Sequence, residues 1–467
     1  MRRIRSIVEV LSAEEIASLH SASLRILDRT GFRVLHDECL ALGRERGARV
    51  DPESSVVRLA PSFVEDMLGR MRAELAPPDA ARGDARLEGV ISTQIYVIDY
   101  LSRQRRLGVT DDVLKGIALV HQLDNFPTSN AVVLPSDEPE AIRDVVAFQL
   151  LYSYSRKPGM TYILTPRSAR YILEMAGAMG RKVRCFLEPV TPLVFRNESL
   201  EMALLFAQRG QPFFVGPMVM GGATGPVTLA GILALHCAEL LASIFLVYAL
   251  TGGFPIRLYN SGPHTVELKN MMCSFGSPNQ ALLGMAVSQM ERFYGLEPVC
   301  NAGLTDALLP DFQAGFEKAS TAVFSLLAGA TGIGCQGLVG ADQAFSFEQL
   351  VIDNEWLGAL NYVLGGLEVT EDTLAADVIE RVGIGGAYIA EEHTKAHMRQ
   401  NYFSSRLFAR DDWTAWLAKG SKETLTRARE ILDSFLRDYR PPEPACTPSQ
   451  FEALGEIVRS ARREVGS

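Results

Sequence analysis

Gln211-Pro212-Phe213-Phe214-Val215-Gly216 opens the stretch that decides the fold. A glycine-rich loop follows, Gly221-Gly222-Ala223-Thr224-Gly225-Pro226, and then an apolar segment without breakers from Val227 to Leu250. Pro255-Ile256-Arg257-Leu258-Tyr259-Asn260 closes the unit, with Gly262-Pro263 just beyond. Short apolar runs on either side of a long breaker-free segment predict strand, loop, helix, strand. Thr224 or Gly225 is expected to cap the helix, Pro226 to suit its first turn, and Thr251-Gly252-Gly253 to end it. Two parallel strands joined by a helix form one βαβ unit. The loop residues Gly221, Gly222 and Thr224 are small and leave backbone free to approach a ligand.

The same alternation extends in both directions. Upstream, Ala131-Val132-Val133-Leu134, Thr161-Tyr162-Ile163-Leu164 and Val183-Arg184-Cys185-Phe186-Leu187-Glu188 read as strands, each followed by a helical segment. Downstream, a helix over about 267–293 precedes a strand at 298–301, a helix at 312–327, a strand at 331–336 and a helix at 345–364. With the arm 94–99 taken as the first, eight strands alternate with helices, which predicts an α/β fold of the TIM (β/α)8 barrel type. A doubly wound open sheet is the alternative, because strand order is not written in a sequence. Residues 1–85 read as a helical extension, with a capping box at Ser12-Ala13-Glu14-Glu15 and a break at Pro77-Pro78-Asp79. The barrel then spans 86–368, and 369–467 is a second helical extension.

Composition narrows the function. The 467 residues are 47% hydrophobic, enough for a large core, and the net charge of -9 argues against a nucleic-acid or anionic-membrane binder. The basic start Met1-Arg2-Arg3 lacks an apolar signal core. Val227–Leu250 carries His236 and Glu239 at its centre and lies within a repeating αβ pattern, so a buried helix is expected there and no membrane span. Seven cysteines without close spacing suggest reduced thiols and a cytoplasmic protein.

In a barrel the chemistry sits at the C-terminal ends of the strands. The candidates are therefore positional: Tyr96 and Asp99; Tyr162 and Thr165; Phe186 and Glu188; Phe214 and Met218; Tyr259 and Asn260; Asn301, Thr305 and Asp306; Gln336. For each one alone, a core aromatic or a loop cap is an equally good reading. Together they are rich in aromatic faces with few carboxylates, which suits a cation, above all a quaternary ammonium that has no N–H to donate. The chain has no phosphate-binding, dinucleotide, zinc-protease or nucleophile-elbow motif. Cys185, Cys300 and Cys335, all near strand ends, could hold zinc, although free cysteine is commonly a small buried apolar residue. His393 and His397, four apart on a helix with Glu391 and Glu392 beside them, are a weaker metal signal.

Several composite motifs are distinctive. They are Gly225-Pro226-Val227-Thr228-Leu229-Ala230-Gly231, Thr305-Asp306-Ala307 with Asp311-Phe312-Gln313-Ala314-Gly315-Phe316-Glu317-Lys318, the run Ser346–Glu355, and Glu392-His393-Thr394. In these, in order along nearly the whole chain, the sequence resembles the trimethylamine methyltransferase family. That resemblance implies a TIM-barrel enzyme that moves a methyl group from a methylated amine to the cobalt of a corrinoid carried by a separate small protein. The founding branch uses pyrrolysine. This chain has standard residues only and resembles the branch without it, whose members act on quaternary amines such as glycine betaine.

Within that reaction, roles are assigned by position alone. Tyr96, Phe214 and Tyr259, with Tyr162 and Phe186, would wall the ammonium, worth about 0.5–2 kcal/mol each when desolvated. Glu188 and Asp306 would complement its charge and stand as the catalytic pair. Asn260, Asn301, Gln336, His393 or Arg257 would hold the remainder of the substrate, and Gly221, Gly222 and Thr224 would face the corrinoid. No tightly bound cofactor and no metal are expected, and the helical ends suit a homo-oligomer. Other readings are demethylation of a different N- or O-methyl compound by the same route, a betaine-binding barrel without catalysis, and a zinc hydrolase.

Overall fold

A computed structural model describes residues 7–75, 87–100, 102–259, 262–437 and 439–466. The helix Leu229–Thr251 is apolar all round, and every residue from Ile232 to Ala249 is buried. A helix without a polar stripe is stable only where neighbours cover every side. It ends as expected, at a left-handed Gly252 (φ 78°) whose N–H donates to the Tyr248 carbonyl. Its start differs. Ala223, Thr224 and Gly225 all donate their N–H groups to the Met220 carbonyl, and Thr224 Oγ1 accepts from Met220 N at 3.0 Å. Thr224 and Gly225 are thus spent on a tight turn, and the cap moves downstream to Thr228.

The flanking strands Phe213–Val215 and Ile256–Leu258 pair in parallel, as the βαβ reading requires, and Cys185–Leu187 adds to the other edge in the same direction. Side chains alternate across these strands. Cys185, Leu187, Phe213, Val215, Ile256 and Leu258 are buried on one face. Phe186, Phe214 and Arg257 stand side by side on the other, in one register row. Arg257 therefore points away from the face that packs into the core.

Another set of parallel pairings forms a second arc. Val299–Cys300 pairs with Gly332–Ile333, Gln336 bridges Ile91, Gln94 bridges Val133, and Ser129 bridges Pro158. The fold is thus α/β, but these ladders do not close. Among the described residues no ladder joins 161–164 to 185–187 or 256–258 to 299–300. The first segment of the arc is 91–94 and not the arm 94–99. Tyr96–Asp99 instead forms an antiparallel hairpin with Gln104–Leu107, set beside Ala344–Phe345. The alternating pattern is real, but it belongs to a ribbon whose turn includes Arg103 at φ 53°.

Two further expectations are corrected. The helix expected over 267–293 starts only at Pro278 and ends at Tyr294, since a second hairpin, His264–Val266 with Cys273–Ser274, occupies its first third. The N-terminal region is not helical alone. Between the helices Ala13–Arg25, Asp37–Glu45 and Pro61–Glu74 it builds a sheet from Phe32–Val34, Arg49–Asp51 and Val56–Arg58, which Val194–Phe195 joins from the main body. Ser23 Oγ donates to Ala234 O at 2.9 Å, tying this region to the central helix. The expected break at Pro77-Pro78-Asp79 lies outside the described residues. At the other end, the helix Pro448–Gly466 buries Leu454, Ile457, Val458 and Ala461, and Arg462 pairs with Glu138 at 2.6 Å.

Candidate active site

A cavity of about 250 Å³ opens where the two arcs fail to pair, between 160–164 and 184–188. Phe214 and Tyr259 line it from the first arc, Ile91, Thr93 and Asn130 from the second, and Ser199, Met202 and Phe206 from the helix Asn197–Gln208. Five residues picked from the sequence meet here: Tyr162, Phe186, Glu188, Phe214 and Tyr259. Their convergence follows from strand parity. Phe186 and Glu188 are two apart on one strand, while Phe214 lies in register with Phe186.

The rings form a continuous surface. Phe186 and Tyr259 have centroids 4.6 Å apart and Phe214 and Tyr259 5.5 Å, both tilted. Arg184 was not foreseen. It shares the parity of Phe186, lines the cavity, and sets its guanidinium 4.7 Å from the Phe214 ring centroid. Burial, with the nearby Arg257 cation second, makes it easier to deprotonate than an ordinary guanidinium. The alternation of Arg184, Phe186 and Glu188 is the sequence signal for it, although Arg184 precedes the strand Cys185–Leu187 and does not follow it.

Glu188 is the cavity's carboxylate. Burial, and then repulsion from Glu239, pushes it up to about 7. Glu239 sits on the central helix and accepts from Leu193 N at 2.7 Å and Thr191 Oγ1 at 2.9 Å. Burial raises it to about 7 as well, against the opposing effect of these two hydrogen bonds. Burial thus favours the protonated form of each carboxyl more than in an ordinary glutamate. Tyr259 is raised well above an ordinary phenol by burial and stays neutral.

The other predicted residues lie elsewhere. Tyr96 is in the outer hairpin, with the Arg105 guanidinium 4.1 Å from its ring centroid. Asp306 braces a loop: it accepts from Ser274 Oγ at 2.9 Å and Phe275 N at 2.6 Å, and its own N–H donates to Glu317 Oε2. Asn301 Nδ2 meets His264 Nε2 at 3.1 Å in a buried chain that continues to Gln280. Gln336 is fully buried, and its Oε1 accepts from Val90 N at 2.6 Å, sealing the bridge between the first and last segments. His393 belongs to the surface helix Glu392–Asn401. Asn260 lies outside the described residues. Gly221 is small for packing reasons, since a Cβ there would stand 2.2 Å from Ile232 Cδ1, and Thr224 is held in the turn described above. Gly222, at φ 88°, serves the same turn. None of these three loop residues is among those that line the cavity.

Cys300 and Cys335 are buried thiols pushed up to about 12 by burial, and Cys185 is raised further for the same reason. Among the described residues the three do not gather into a ligand set; the grouping that does form is on the surface.

A family model described as trimethylamine methyltransferase (MTTB) matches residues 1–466. The trimethylamine methyltransferase MttB of Desulfitobacterium hafniense (strain DSM 10664 / DCB-2) is 30% identical, over 100% of this chain and 99% of its own. The glycine betaine methyltransferase of Desulfitobacterium hafniense (strain Y51) is 28% identical over 98% of each. Among solved structures, the monomethylamine methyltransferase MtmB of Methanosarcina barkeri overlays with a TM-score of 0.47 at 11% identity, covering 94% of this chain and 92% of that one.

Proposed function

Since the chain belongs to the trimethylamine methyltransferase family, we propose that it is a methyltransferase that takes a methyl group from a small quaternary amine of the betaine type. The observation that carries this reading is the make-up of one cavity: three aromatic rings in contact, a carboxylate at Glu188 and a guanidinium at Arg184. Rings and carboxylate suit a fixed cation. A guanidinium suits the carboxylate at the other end of a betaine. The volume, about 250 Å³, falls just below the roughly 300–1,000 Å³ of pockets for drug-sized ligands and matches a small substrate.

A quaternary nitrogen leaves as a neutral amine, so no general acid is needed at it. The methyl acceptor in this reading is the cobalt(I) of a corrinoid carried by a separate protein. The C–N bond breaks as the bond from methyl carbon to cobalt forms, and its electron pair stays with nitrogen. The residues of this chain bind the cation, aim one methyl group at the opening and exclude water. Positive charge leaves nitrogen during the transfer, so attraction from Glu188 and the rings is binding of the ground state. Their loss is expected to raise KM more than it lowers kcat.

The same proposal includes closure of the two arcs into a (β/α)8 barrel over 86–368, flanked by 1–85 and 369–467. The bridge between Ile91 and Gln336, first segment to last, supports it. A homo-oligomer working in the cytoplasm completes the reading. The distinguishing experiment is calorimetric binding of glycine betaine and tetramethylammonium to the wild type and to Arg184→Ala. A loss of about tenfold for betaine alone supports the assignment of its two ends. Equal losses for both ligands, or none for either, contradict it.

A further inference from the structure

Residues 365–406 contain no buried residue, although they hold three helices, with a fourth close behind. These are Glu371–Leu374, Ala376–Val382, Glu392–Asn401 and, just beyond, Trp413–Ala418, of 4, 7, 10 and 6 residues. Isolated helices of fewer than about 12 residues are marginal in water. Two ion pairs lie here at the surface: Arg381 with Glu391 at 2.6 Å links the second helix to the start of the third, and Lys395 with Glu392 at 3.6 Å lies within the third. Such pairs contribute little. The region lacks a core of its own, and a further cross-link would order it.

One set of side chains can supply it. His393 and His397 are one turn apart on the same helix face, with ring centroids 4.2 Å apart. Asp372, from the helix Glu371–Leu374, reaches both. His397 Nε2 is 3.2 Å from Asp372 Oδ2, and His393 Nε2 is 3.0 Å from the Asp372 carbonyl oxygen. One donor atom from each of the three residues lies within 4.8 Å of the others. Zinc binds imidazole nitrogen and carboxylate oxygen at about 2.0–2.2 Å, so donors of a tetrahedral site stand roughly 3.3–3.5 Å apart. The His397–Asp372 separation is already close to that edge. Neutral imidazoles from i and i+4 plus one carboxylate form a donor set suited to zinc, with a fourth position left for water or a further ligand.

We propose that Asp372, His393 and His397 form a divalent zinc-type metal site that staples the helix Glu371–Leu374 to Glu392–Asn401 and orders the surface extension. The site stands apart from the cavity and does not depend on the methyltransferase reading.

The test uses the full chain, stripped with a chelator and titrated with Co²⁺ as a spectroscopic probe, then with Zn²⁺ in competition. One equivalent per chain is expected, with visible d–d bands that Zn²⁺ bleaches. His393→Ala and His397→Ala should each weaken binding at least ~10-fold, as lesser changes around metal sites already do. These side chains contact no core, so melting of the chelated variants should match that of the chelated wild type. Metal should also slow proteolysis within 365–406 in the wild type alone. Absence of saturable binding overturns the proposal. So does binding that is unchanged in His397→Ala, which would place the metal elsewhere.

Discussion

Replacing Glu188 with glutamine removes the charge expected to face the substrate cation, and the effect can be worked out from its titration. With a value of about 7, roughly one site in ten is ionised at pH 6 and about nine in ten at pH 8. If the cation binds the ionised form, its association constant in the wild type rises about tenfold across that interval, ~1.4 kcal/mol. In Glu188→Gln the rise disappears, and affinity stays near the low-pH value of the wild type. Glu239→Gln provides the control. It removes the repulsion that is the second cause of the Glu188 shift, so the midpoint moves below 7 while the rise itself remains. Calorimetry with tetramethylammonium is the assay, since that ligand does not titrate. A pH slope that survives in Glu188→Gln refutes the assignment, as does a wild-type affinity that falls with rising pH.

Glu239 also bears on stability. Its folded value of about 7 lies above the ordinary 4.5, so the folded chain favours the protonated form, and the stability this lends is lost as pH rises through 7. Glu239→Gln should therefore melt higher than the wild type at pH 8, by up to about 3 kcal/mol from the size of the shift, and about equally at pH 5. Phe186→Ala should raise KM for the quaternary amine about 3–30-fold through the lost ring face, read in steady-state kinetics with kcat little changed. Asp353 is fully buried and accepts from Lys318 Nζ at 3.1 Å, Gly337 N at 2.7 Å, Gln349 Nε2 at 2.7 Å and Trp356 Nε1 at 2.6 Å. Asp353→Ala strands the buried Lys318 cation and should cost about 3–5 kcal/mol in denaturant unfolding. Gly31 has φ 74°, and a Cβ would stand 2.3 Å from the Val57 carbonyl oxygen, so Gly31→Ala should lose about 1–3 kcal/mol in the same measurement.

The alternation of strand and helix was legible because strands buried on one face and helices covered on all sides both leave long apolar runs, as Phe213–Val215 and Leu229–Thr251 do. That Phe214 and Tyr259 line one cavity was legible from their positions near strand ends alone. The arm at 94–99 could not, because a hairpin alternates side chains with the same period as a barrel strand. Asn301, Asp306 and Gln336 fall outside the cavity lining for a related reason. The ladder elements beside them are only two residues long, too short to fix which way a side chain points, and the loops then fold back to satisfy their own backbone. The two histidines were visible from their spacing. Asp372 was not, because it approaches from 21 residues away through tertiary structure.

The most direct measurement of the central claim is methyl transfer itself. The purified chain, with chemically reduced cob(I)alamin and a panel of methylated amines, is followed by the absorbance change on methylation of the cobalt. Turnover with a betaine-type quaternary amine, none with trimethylamine, and a raised KM in Glu188→Gln are the predicted results. Methylation from trimethylamine with none from any quaternary amine would contradict the account. So would a panel that stays silent with a corrinoid protein competent to accept methyl groups.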